Sequence, residues 1–199
     1  MKTILLVLLG SACLAGSGMA ASALAIAKLN AALKNEFNTM HNYRKHATQA
    51  EREGNAPVAK LFLAVARAEE IHRRAIRASL TSMGGVPNEL SEATPRFPNL
   101  SATLTRVIAN EKLESESIYP DLLKTLKNES EAADASRIIE FARKAEAQHA
   151  VLFGEALSHL GKNHPTSYFI CPECSYISTE KPGKNCHGCQ GDKKPLLIK

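Results

Sequence analysis

Two copies of Glu-x-x-His, Glu69 to His72 and Glu146 to His149, fall on the apolar stripes of two separate stretches of helical periodicity. Residues three apart share one face of a helix, so each copy presents an oxygen and a nitrogen donor side by side. Two further stripes carry acids without a histidine. Glu36 lies among Leu29, Leu33, Met40, Tyr43, Ala47 and Ala50, and Glu111 with Glu114 lies among Leu100, Leu104, Val107, Ile118 and Leu122. A buried ionised carboxylate costs several kcal/mol even after the surroundings relax. A chain with acid on every core stripe must therefore fold so that the acids meet and protons or metal ions neutralise them.

Punctuation in the sequence supplies the topology. A helical pattern over about 24–53 stops at Gly54-Asn55, and Pro57 opens a second that reaches about Met83. The Gly- and Pro-laden stretch GGVPNELSEATPRFPN reads as a long connection. Asn99 or Ser101 can cap a third helix running to about Lys127, and NESEAAD turns into a fourth that ends near Gly161. Two hairpins joined by one long crossover predict an all-α, ferritin-like four-helix bundle, with Trp absent and β-branched residues too sparse for a large sheet.

In such a bundle the chain order single Glu, Glu-x-x-His, single Glu, Glu-x-x-His is that of dinuclear carboxylate sites. At ~1.5 Å per residue, the distances of Glu36, Glu69, Glu111 and Glu146 from their turns bring the four groups to similar heights. The expected ligands are Glu36, Glu69, His72, Glu111, Glu146 and His149. Mixed carboxylate and imidazole donors favour iron or manganese and leave zinc open. Two ions ~3.5–4 Å apart can hold a small oxygen species between them, which points to redox chemistry on a peroxide or dioxygen. His41, His46, His159 and His164 read as ordinary surface or helix-end residues, and Tyr43 as either plain core or a donor to the site.

The tail carries Cys171, Cys174, Cys186 and Cys189 as two Cys-x-x-Cys pairs, which form facing knuckles around one tetrahedral ion. Iron and zinc fit four thiolates equally well. At the other end, MKTILLVLLGSACLAGSGMAASA reads as a secretory signal peptide whose apolar run falls short of the ~20 residues of a membrane span. Gly10 stands where a lipidation motif at Cys13 would want an aliphatic residue. The expected organisation is a signal peptide over 1–23, a bundle over 24–161, a linker over 162–168 and a small metal-knuckle domain over 169–199. Export implies a periplasmic protein with no stable span after cleavage. The net charge of +5 is spread among acids, without the clustering that nucleic-acid binding requires.

With these ligands followed by a two-knuckle tail, the chain resembles the rubrerythrin family over essentially its whole mature length. NEKLESESIYP resembles the family's third-helix segment, and CPECSY the knuckle of its rubredoxin-like domain. The resemblance implies two iron ions in the bundle and one iron in the tail, although zinc also suits the four cysteines. It implies reduction of hydrogen peroxide to water by a diiron peroxidase, with electrons relayed from the tail. It casts Glu111 as the bridging carboxylate, and Glu114 and His72 as the catalytic pair between which one iron shifts, which makes Glu114 an expected metal ligand as well. It further implies a homodimer in which the tail of one chain approaches the bundle of the other.

Three departures stand out. Ser175 and Gln190 replace the glycines that usually follow each second cysteine, and Cys186-His187-Gly188-Cys189 lacks the usual proline. The tail also holds five Lys against three acids. Together with export, this points to an unusual electron donor protein, such as a periplasmic cytochrome. Two alternatives carry weight beside the peroxidase: a ferroxidase or iron-handling protein, and a metal-holding bundle whose zinc-filled tail serves for docking.

Overall fold

A computed structural model describes residues 21–88, 99–130 and 132–198. Residues 1–20 of the expected signal peptide, including Cys13, and residues 89–98 of the crossover lie outside the described residues. Helix α1 spans Ala23–Arg52 and opens on Ser22, whose hydroxyl accepts from the Ala25 amide. It ends before Gly54, whose φ of +76° is a conformation that glycine adopts without steric cost. Helix α2 covers Ala56–Ser82 with Pro57 in its first turn, where a missing amide hydrogen does no harm.

Asn99 caps the third helix by accepting from Ala102, but this helix is not continuous. It runs as α3 (Leu100–Leu113), a π-helical turn (Glu114–Ile118) and α4 (Tyr119–Leu126). Pro120 has no amide hydrogen to return to Glu116, so the α ladder must break there. Instead the Tyr119 amide reaches back five residues to the Glu114 carbonyl. The extra residue rotates everything downstream. Ile118, expected on the core stripe, is 40% exposed, and Tyr119 takes its place fully buried. Helix α5, Ala133–Ser158, completes the four-helix bundle.

The core divides into two apolar plugs. One holds Tyr43, Phe62, Val65, Leu104 and Phe153. The other holds Leu29, Leu33, Ile76, Leu80, Leu126 and Ile139. Along each helix the acids and histidines of the stripes fall between the two plugs, so the polar layer is sealed from above and below.

Beyond α5 the chain forms a small antiparallel sheet, β1 (Tyr168–Ile170), β2 (Ile177–Ser178) and β3 (Leu196–Ile198), in the order β2-β1-β3. Tyr168, Ile170 and Ile177 join the same apolar cluster as Val58, Leu61 and Val65 of α2. Gln148 of α5 grips β2 with both ends of its amide, donating to the Ile177 carbonyl at 2.6 Å and accepting from the Ile177 amide at 3.0 Å. The tail therefore rests on the bundle of its own chain, whereas the family resemblance alone implies an approach to a partner's bundle. Among the described residues, no helix is long and apolar enough to cross a membrane.

Candidate metal centres

The two Glu-x-x-His copies face each other across the bundle, and their carboxylates are shared. His72 Nδ1 lies 3.0 Å from Glu69 Oε2, 3.1 Å from Glu146 Oε1 and 3.6 Å from Glu36 Oε2. His149 Nδ1 lies 2.8 Å from Glu146 Oε2, 3.3 Å from Glu69 Oε1 and 3.6 Å from Glu111 Oε2. Two four-residue donor groups result, Glu36-Glu69-His72-Glu146 and Glu69-Glu111-Glu146-His149. Glu69 and Glu146 belong to both, each turning one oxygen to either side. They, rather than Glu111, hold the bridging place. Glu111 contributes only to the second group, so the bridging role implied for it is corrected.

All six residues are buried. Glu36 Oε2, Glu69 Oε1, Glu111 Oε2 and Glu146 Oε1 are buried with no hydrogen-bond partner among the described residues. Orphaned carboxylate oxygens of this kind are strongly unfavourable unless a cation receives them. They point inward at two places, each with oxygen donors and one imidazole nitrogen, and the donor set fits a pair of divalent ions.

Electrostatics agrees. Burial, then the Glu69 carboxylate, raises the Glu36 carboxyl well above its ordinary range. Burial and Glu146 raise Glu111 to about 8. Glu69 is the opposite case, since burial pushes it up but the neighbouring His149 and His72 imidazoles outweigh that and hold it low. Protons thus occupy the layer where cations do not, and an arriving metal ion has to displace them.

Two tyrosines finish the shell. Tyr43 donates to Glu111 Oε1, which settles it as a donor rather than plain core, and Tyr119 donates to Glu36 Oε1. Such bonds orient ligating carboxylates and tune what they bind. Sequence reading did not find the role of Tyr119, because its place on the stripe appears only once the π turn is counted in.

Glu114 stands apart. It is buried in the π turn but belongs to neither donor group. Burial and the charges of Glu146, Glu111 and Glu69 raise its carboxyl well above the ordinary range, while a hydrogen bond from Asn35 works the other way. His159 and His164 are exposed as expected, but His46 is not a surface residue. It is buried between the rings of Phe62 and Tyr43, 5.5 and 6.3 Å away, and burial lowers its imidazole to about 4.

In the tail, the four sulfurs of Cys171, Cys174, Cys186 and Cys189 lie within 4.8 Å of one another, and none is in a disulfide. Each knuckle is closed by the same amide-to-carbonyl bond, and the second also by two amide-to-sulfur bonds. Ser175 donates its amide to the Cys171 carbonyl and Gln190 to the Cys186 carbonyl, while Gly188 and Gly191 donate to the sulfurs of Cys186 and Cys189 at 3.3 and 3.4 Å. Hydrogen bonding from Cys174 lowers the Cys171 thiol to about 5, while Cys174 itself is pushed far up by the same contact. Four thiolates cannot gather here without a cation, and the tetrahedral cluster fits one.

The first knuckle touches the bundle site. His72 Nε2, the ring nitrogen facing away from the carboxylates, is hydrogen-bonded to the Ser175 hydroxyl, one residue from Cys174.

Comparison with known proteins agrees with this arrangement. The family model described as Rubrerythrin matches residues 28–157. Over 161 residues the chain is 26% identical to nigerythrin from Nitratidesulfovibrio vulgaris strain Hildenborough, a match covering 81% of this chain and 79% of that one. Among solved structures, fully reduced, all-ferrous nigerythrin superposes with a TM-score of 0.78 at 24% identity, covering 91% of this chain and 88% of that one. A Rhodobacter capsulatus bacterioferritin with a metal-free dinuclear site superposes with a TM-score of 0.64 at 23% identity, over 74% of this chain and 91% of that one. The structural likenesses bear on the fold, and the nigerythrin match takes in a larger share of the chain.

Proposed function

The chain belongs to the rubrerythrin family, and on that footing we propose that it is an exported diiron peroxidase, reducing hydrogen peroxide to water with electrons passed from an iron in its cysteine tail. Two ferrous ions held by the bundle would supply the two electrons that, with two protons, convert one peroxide molecule into two waters. The remaining steps fall to residues of this chain. Glu36, Glu69, His72, Glu111, Glu146 and His149 would hold the ions, with Glu69 and Glu146 common to both donor groups. Tyr43 and Tyr119 fix the two outer carboxylates. The apolar plugs on either side exclude bulk water, which strengthens every charge interaction within the layer.

Glu114, raised well above the ordinary carboxyl range chiefly by burial, holds a proton beside the site and is suited to giving it to a departing oxygen. The observation that carries the reading is the contact between tail and bundle. A protein that only stored or oxidised iron would need no thiolate iron docked on the imidazole of its dinuclear site, and here Ser175 bonds to His72 directly. The single chain has both ends of the electron path in contact. The family's dimer is retained as part of the proposal, with its role being assembly rather than completion of the path.

For the donor, the expected signal peptide and the basic tail favour an acidic redox protein of the periplasm, such as a cytochrome. Stopped-flow absorbance on anaerobically reduced protein tests the activity. Peroxide should reoxidise the ferrous iron of the tail, and so restore its ferric-thiolate absorption, much faster than dioxygen does. Equal rates would favour a ferroxidase, and a colourless tail that binds only zinc would favour a docking role. Mass spectrometry of the protein recovered from the periplasmic fraction tests export, with cleavage near residue 23 expected.

A further inference from the structure

Ser175 occupies a place in the first knuckle that ordinarily suits glycine. Its φ is +61°, a left-handed conformation that a residue with a Cβ adopts only at a steric cost. It is also fully buried, which for a small polar side chain requires partners. The hydroxyl has two. It donates to the Cys174 carbonyl at 2.5 Å, and with its only hydrogen spent there it can meet His72 Nε2 only as an acceptor. His72 must therefore carry its hydrogen on Nε2. Nδ1, the atom that faces Glu36, Glu69 and Glu146, is then the nitrogen that would offer its lone pair to a metal ion taking the place of the proton there.

Two internal comparisons isolate this arrangement. Gln190 holds the equivalent position in the second knuckle with φ of +62°, yet it is exposed and its side chain reaches only the neighbouring His187 carbonyl at 3.5 Å. A non-glycine residue at this position does not by itself create a contact with the bundle. On the other half of the site, His149 presents Nδ1 to its carboxylates just as His72 does, but its Nε2 is buried with no partner among the described residues. Only one imidazole of the pair is tied from behind, and it is tied by the tail.

We propose that Ser175 is a positioning residue: its hydroxyl holds the His72 ring in the tautomer and orientation that turn Nδ1 to the metal, so that seating of the cysteine tail and readiness of the dinuclear site are coupled through one hydrogen bond. The Gln148 clasp on Ile177 keeps β2, and with it the end of the knuckle, in register for this contact. The idea rests on the dinuclear reading of the site, but not on peroxide as its substrate.

The test uses the full chain loaded with zinc, which is diamagnetic and turns nothing over, so a failure here stays distinct from a failure of the peroxidase reading. Imidazole nitrogen NMR on this protein should show His72 with Nε2 protonated and its hydrogen slow to exchange with water, the His72 signals being identified by their absence in H72Q. In Ser175→Ala and in Ser175→Gly, exchange of that hydrogen should quicken about tenfold, as for loss of a hydrogen bond of ordinary net strength, while the His149 signals stay put. The two variants separate hydroxyl from backbone, because glycine relieves the left-handed conformation and alanine does not. If S175G leaves His72 as in the unaltered chain, or if His149 moves as much as His72, the hydroxyl is not the tether and the proposal falls.

Discussion

Tyr119 donates its phenolic hydrogen to Glu36 across the bundle, and Tyr43 makes the same bond to Glu111. The two pairs are near mirror images with one difference of count: Tyr43 follows Glu36 by seven residues, and Tyr119 follows Glu111 by eight. The additional residue sits in the π turn that carries Glu114. A single widened turn thus introduces a further acid beside the site without displacing the tyrosine beyond it. π turns inside α-helices are uncommon and concentrate at functional sites.

Replacing Tyr119 by Phe should strand the buried Glu36 Oε1, which accepts the phenol's hydrogen bond. Loss of one partner from a buried pair costs about 1–3 kcal/mol. Urea unfolding of the metal-free protein should show a destabilisation of that size for Tyr119→Phe and for Tyr43→Phe alike. A neutral result for both would mean the phenols do not hold the carboxylates.

Stability of the metal-free chain should fall as pH rises. Glu111, raised by burial and Glu146 from 4.5 to about 8, holds a proton in the folded state over that interval that the unfolded chain has lost. His72 acts in the same direction: burial opposes its charge, but the carboxylates of Glu146 and Glu36 prevail, and its stabilisation is complete below 6.5 and lost as pH climbs through its higher folded value. Glu69 and Glu146, held below 4.5, contribute stability above that value which disappears only in acid. The melting temperature of the metal-free protein should therefore be higher at about pH 6 than at about pH 8.5, and saturating divalent metal should flatten or reverse the trend. A metal-free melting temperature that rises across this range would contradict the assignment of protons to Glu111 and His72.

Much of this was legible in the sequence because the signals were periodic. Glu36, Glu69, Glu111 and Glu146 could be placed in one layer from heptad stripes and turn positions, and the structure brings them together with His72 and His149. What escaped were features that depend on a break in period or on tertiary contact. Ile118 was assigned to the core by an unbroken 3.6-residue repeat, whereas the missing amide of Pro120 widens the turn and gives the position to Tyr119. The sharing of Glu69 and Glu146 depends on which way each oxygen points, and the Ser175 contact on how the tail folds back, and neither leaves a mark in spacing. His46 looked like a polar helix residue because nothing local announces the Phe62 ring that covers it.

Gly188 should prove indispensable to the tail alone. A Cβ there would lie 2.8 Å from Tyr176 Cβ and 3.0 Å from Cys174 Sγ, neither of which can retreat without moving the knuckle. Gly188→Ala should cut metal retention at the four cysteines at least about tenfold, with a much smaller loss from the bundle, where six residues offer ligands and only the His72 tether depends on the tail. Metal analysis after dialysis against a chelator reads both sites together. Parallel loss from both would show instead that the tail and the bundle fold as one unit.

Glu114 offers the sharpest separation between binding and turnover. It lies outside both donor groups, so the ions have six other residues to hold them. Yet it is buried against Glu146, Glu111 and Glu69, whose charges, after burial itself, keep its carboxyl well above the ordinary range. Glu114→Ala should leave iron stoichiometry intact while slowing peroxide reduction by about 10²–10⁴-fold, the range typical of a removed general acid or base. Glu114→Gln keeps the shape and the hydrogen bond to Asn35 but has no proton to give, so it should be as slow as the alanine variant. If the glutamine variant instead recovers most of the rate, the role of Glu114 is to shape the cavity rather than to deliver a proton. If iron is lost along with activity, it is a ligand after all, and the boundary drawn between the donor groups and the π turn is in the wrong place.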